Sequence, residues 1–85
     1  MNFSVDDLAK MLIIKAFDLD RKTGWVGYIN YCSDLLTVLY SKKDDEHDFR
    51  MSVYLEDKDA KDTLRNYIAN IERLEREYNE QNKQN

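Results

Sequence analysis

Asp44, Asp45, Glu46, His47 and Asp48 are the densest run of chemistry-bearing side chains in this sequence, four carboxylates around the only imidazole. These are donor types for a divalent cation, but coordination needs oxygens that converge at about 2.0–2.6 Å. Consecutive residues at a loop tip splay outward instead, so the run reads as a solvated acidic tip able to attract Lys or Arg on a partner. Acid/base chemistry near neutral pH would fall to His47 or to a strongly perturbed carboxylate, and nothing in the sequence supplies His47 with an orienting neighbour or a dry pocket.

A second spacing imitates a metal loop. Asp18 and Asp20 stand where an EF-hand places its first ligands, yet the same register puts Thr23 at the obligatory glycine and Ile29 at the acidic twelfth position. Residues 18–24 are therefore expected to be a polar connector. Ser4, Ser33, Ser41 and Ser52 have no Gly-x-Ser-x-Gly context, and two glycines, Gly24 and Gly27, are too few for a phosphate-cradling loop. No catalytic residue, no metal and no cofactor is expected, and the chain reads as a non-enzyme.

The charge points toward a partner. The net charge is −4 and unevenly placed: 1–24 and 60–85 each balance, whereas 25–59 holds four Lys or Arg against eight Asp or Glu. Phosphate backbones are bound by clustered Lys and Arg, so direct nucleic-acid binding is disfavoured and a protein partner with a basic surface is favoured. No apolar run approaches the ~20 residues of a membrane span, and the N-terminus lacks a basic-then-apolar secretion signal. A cytoplasmic location is expected, which the single cysteine, Cys32, also suits; its thiol is read as half-buried.

The elements that would carry these groups follow from periodicity. Ser4, Val5, Asp6 and Asp7 form a capping box opening a helix that ends near Gly24. Val5, Leu8, Ala9, Met11, Leu12, Ile13, Ile14, Ala16 and Phe17 cover so much of its circumference that it is expected to be largely enclosed. Residues 28–41 fit either an amphipathic helix or, by their β-branched and aromatic content, two strands turning at 32–34. The alternation of Phe49, Met51, Val53 and Leu55 with Arg50, Ser52, Tyr54 and Glu56 is a strand that needs a partner, which decides for strands. A last helix, capped by Asp57 or Asp59, is expected to run to Tyr78 or Asn79, with 80–85 a frayed polar tail and 1–79 a single domain. Ion pairs Glu72–Arg76, Arg73–Glu77 and Arg76–Glu80 are expected along its solvent side.

The expected fold is thus α+β, a two-layer α-β-β-β-α domain with a three-stranded antiparallel meander and both helices on one face; a mostly helical domain with one strand is the alternative. In element order and acidity this resembles the opening helix and three-stranded sheet of type III secretion chaperones. The later strands and helix of those proteins are missing, and no function or residue is carried over.

Two contact surfaces are expected. Period-two alternation sends Arg50, Ser52 and Tyr54 away from the helices, beside Val26, Tyr28, Thr37 and Leu39. Tyr28, Leu39 and Tyr54, rimmed by Asp44, Asp45, Glu46 and Asp48, form the expected partner-binding face. Leu64, Tyr67, Ile71, Leu74 and Tyr78, at alternating steps of three and four, draw a narrow seam expected to mediate self-association as a homodimer. The leading function is a small acidic interaction module that binds or inhibits another protein. The second is a nucleic-acid mimic, such as a phage- or plasmid-borne viral-type inhibitor of a DNA-binding or defence protein.

Overall fold

A computed structural model describes residues 3–42 and 48–83. The order is α1 (Val5–Thr23), β1 (Val26–Cys32), β2 (Leu35–Tyr40), β3 (Phe49–Tyr54) and α2 (Ala60–Lys83). The two-layer α+β arrangement expected from the sequence is the one found, with 28–41 split into two strands.

Ser4 opens α1 through a reciprocal box: its Oγ accepts from the Asp7 amide at 3.1 Å, and Asp7 Oδ2 accepts from the Ser4 amide at 3.3 Å. Two of the four orphan amides of the first turn are thereby satisfied. At the other end Gly24 takes φ 72°, the left-handed conformation that costs an L side chain, and donates its amide to the Asp20 carbonyl at 2.7 Å. Thr23 locks the turn by donating to the Leu19 carbonyl at 2.8 Å and accepting from the Trp25 amide at 2.9 Å. Residues 18–23, expected as a connector, are therefore the last turns of α1: Arg21 and Lys22 suit the negative end of the helix dipole, and the only stop signal is Gly24.

The sheet is an antiparallel meander in the order β1-β2-β3. Ser33 (φ 50°) and Asp34 (φ 67°) form the tight β1–β2 turn, both with positive φ as a twist-matched two-residue hairpin requires. Neither is glycine, so the turn is held from outside: Tyr31 donates its hydroxyl to Asp34 Oδ1 at 3.1 Å, and the Leu55 amide donates to the Asp34 carbonyl at 2.8 Å.

Both helices lie on one face. α1 packs on β1 and α2, and α2 reaches β3. Leu12 and Leu19 of α1, Leu36 and Val38 of β2, and Leu64, Ile71 and Leu74 of α2 are the largest fully buried side chains. α2 continues a turn past Asn79 to Lys83, because Glu80 and Gln81 are adequate helix formers and nothing breaks the ladder. Of the expected pairs Arg73–Glu77 forms, at 3.7 Å. Glu72 turns instead to Lys15 across the helix interface at 3.2 Å, and Arg76 has no ion pair among the described residues.

Candidate functional site, the open face of the sheet

With the helices on one side, the other side of the sheet shows the alternate residues of each strand. Register aligns three rows: Tyr28–Leu39–Arg50, Asn30–Thr37–Ser52 and Cys32–Leu35–Tyr54. Tyr28 and Tyr54 are about half exposed. The middle row is polar: Asn30 is exposed, whereas Thr37, 4% exposed, lies 3.4 Å from the Ser52 hydroxyl, which also accepts from Arg50 Nε at 3.1 Å.

One member expected on this face is elsewhere. Val26 is buried and pairs with Tyr40 on the helix side, because a bulge between Val26 and Tyr28 inserts an extra residue, Gly27, and breaks the alternation. The sequence carries a trace of this: an isolated glycine inside a strand pattern marks a bulge.

Tyr28 and Leu39 are neighbours in one row and share a shallow hollow of about 240 Å³ with Trp25 and Asp48. Tyr54 stands at the opposite corner, two rows and two strands away, so the three expected anchors are one pair and one outlier rather than a cluster. Of the expected acidic rim, Asp48 is present and exposed beside the pair, and Asp44, Asp45 and Glu46, with His47, lie outside the described residues. Cys32, expected to be half-buried, is exposed at the end of its row.

The stripe on α2 is turned inward. Leu64, Ile71 and Leu74 are 0–1% exposed against α1 and the sheet, so self-association through them would require the core to open. Tyr67 donates its hydroxyl to the Ser52 carbonyl at 2.8 Å, and Tyr78 packs edge-on against Trp25 with ring centroids 5.7 Å apart. Two helices and a three-stranded sheet share one core, and the most regular apolar stripe fills it.

Ile14 and Phe17 on α1, expected to be enclosed, are instead exposed, at 59% and 55%. Tyr31 is also open, and beside it a hollow of about 280 Å³ is lined by Asp6, Ala9, Lys10, Ile13 and Leu55. Among the described residues two groups titrate away from their ordinary values. The hydrogen bond to Asp34 raises the Tyr31 phenol, and the Lys42 ammonium, 2.7 Å from Glu77, holds that carboxyl below the usual range. Among the described residues no cluster of His, Cys, Asp or Glu could hold a metal ion, and no helix is long and apolar enough to cross a membrane. Comparison with protein-family models, with curated proteins and with solved structures gave no match.

Proposed function

We infer that the chain is a cytoplasmic protein-binding module, not a catalyst, and that it docks a basic-surfaced partner on the open face of its sheet. The observation that supports this is one-sided layering. A three-stranded sheet covered by helices on one face only presents Tyr28, Leu39 and Leu35 outward, with Tyr54 at the far corner and the Asp48 carboxylate beside the first pair. Half-exposed tyrosines offer large contact area at low conformational cost and are common binding anchors, while a flanking acid steers a basic partner into place.

The test uses the wild-type chain and its Tyr28→Ala and Tyr54→Ala variants as baits in native lysate, followed by affinity measurement on whatever protein the wild type retains. Truncating a central anchor is expected to cost about 2 kcal/mol of binding, with little dependence on salt. Undiminished binding by both variants rejects this face. A nucleic-acid mimic would behave oppositely: affinity would collapse with ionic strength and fall on neutralising Asp44, Asp45 and Glu46 rather than on losing a tyrosine.

A further inference from the structure

We propose that two copies of this chain associate about a two-fold axis through the outer side of α1 and the free edge of β1. Three observations converge on this side of the molecule.

The first is an unpartnered stripe. Asp6, Lys10, Ile14, Phe17 and Arg21 recur at steps of three and four on the flank of α1 away from the Lys15 and Lys22 contacts with α2, and Ile13 beside them is partly buried against the core. Ile14 and Phe17 are more than half exposed, and Arg21 lies over the Phe17 ring at 6.0 Å. The inner flank differs: Lys15 and Lys22 are paired with Glu72 and Glu75 of α2. Among the described residues no ion pair engages Asp6, Lys10 or Arg21.

The second is the adjoining sheet edge. The amide of Leu55 donates to the Asp34 carbonyl, which places Leu36, Val38 and Tyr40 in the bonded pairs with β3 and leaves Leu35, Thr37 and Leu39 to bond β1. By the same alternation the amides and carbonyls of Ile29 and Tyr31 point out of the sheet. The opposite edge is defended, since the outward Ser52 carbonyl is occupied by the Tyr67 hydroxyl.

The third observation selects the occupant. The stripe is self-complementary about its middle: Asp6 and the oppositely charged Arg21 lie equally far from the midpoint between Ile13 and Ile14, and so do Lys10 and the Phe17 ring. Two antiparallel α1 helices related by a two-fold at that midpoint set Asp6 against Arg21 of the second copy, Lys10 against its Phe17 ring, and Ile13 against its Ile14. This is the self-complementarity an isologous interface demands, and a generic peptide would lack it. The same axis suits the strand. Lys10 and Ile13 line a hollow with Tyr31, and Phe17 lines one with Ile29, so the middle of the stripe sits over the part of β1 whose backbone is free. Antiparallel pairing of Ile29 and Tyr31 with the same residues of the second copy then makes one six-stranded sheet, with both open faces on the same side.

Sedimentation of the wild-type chain from micromolar to millimolar concentration tests the proposal. The expected result is a reversible dimer, converted by Ile14→Glu/Phe17→Glu into a monomer with the wild-type circular-dichroism spectrum. Asp6→Arg and Arg21→Asp should each weaken association about tenfold, because each dimer contains the pair twice and each reversal sets like charges together. Combining the two reversals should restore it. A wild type monomeric throughout the range overturns the proposal. So does a dimer that survives Ile14→Glu/Phe17→Glu, or a double charge reversal no tighter than the singles.

Discussion

The two helices carry apolar stripes of nearly equal prominence and put them to opposite uses. On α2 the stripe of Leu64, Ile71 and Leu74 is 0–1% exposed, although its regular three-four spacing looks like a seam for another chain. On α1, whose apolar residues run almost all the way round, Leu8, Leu12, Ala16 and Leu19 enter the core while Ile14 and Phe17 stay in solvent. The difference teaches that spacing says which residues share a side of a helix, not which side meets the core. A sheet of three strands offers two helices one face, so each buries one stripe, and apolar residues beyond that width remain outside.

The largest expected effect breaks the comparison at α2. Leu74→Ala should cost about 2–5 kcal/mol in denaturant unfolding, and Leu74→Glu should unfold the domain by leaving an unpaired carboxylate in its core. A folded Leu74→Glu chain would mean that α2 can turn its stripe outward. Next is the joint that aims α1. Gly24→Ala meets no atom within 4 Å, so its cost is backbone strain alone at φ 72°, about 1–2 kcal/mol by chemical denaturation.

A smaller effect sharpens how α2 is oriented. Asn70 donates to the Tyr40 hydroxyl at 3.1 Å and accepts from Arg73, so Asn70→Ala should lose about 1 kcal/mol, measured by the same method. The Lys42–Glu77 pair supplies the pH dependence. Because the folded-state carboxyl of Glu77 is held low, its contribution is present above the ordinary carboxylate range and is lost as pH falls through the folded value. Thermal melts from about pH 6 down to pH 3 should show a loss that Glu77→Gln diminishes. The effect is modest, since both side chains are about a third exposed. Smallest of all, Ile14→Ala at concentrations too low for association should change stability by no more than about 0.5 kcal/mol; a loss near that of Leu74→Ala would show that Ile14 packs as core.

Much of the fold is legible in local sequence signals. The Ser4–Asp7 box, the stop at Gly24, the turn at 32–34 and the alternation of 49–56 are local signals, because they rest on backbone groups and side chains within four residues of one another. They fixed the order of elements and, through Tyr28, Leu39 and Tyr54, most of the open face. Less was legible at the sites. The bulge at Gly27 removed Val26 from that face, since one inserted residue flips every position before it. Tyr54 could not be placed relative to Tyr28 until register set them at opposite corners.

By itself, then, the sequence determined which residues share a helix side, which share a face along an unbulged strand, and where α1 begins and the β1–β2 turn falls, because those depend on dihedral preferences and short-range hydrogen bonds. Only the tertiary structure decided that α2 spends its stripe on the core, that Glu72 answers Lys15 rather than Arg76, and that Ile14 and Phe17 remain in solvent. Those outcomes follow from competition among distant segments for one limited buried volume, and no window of sequence contains the competitors together.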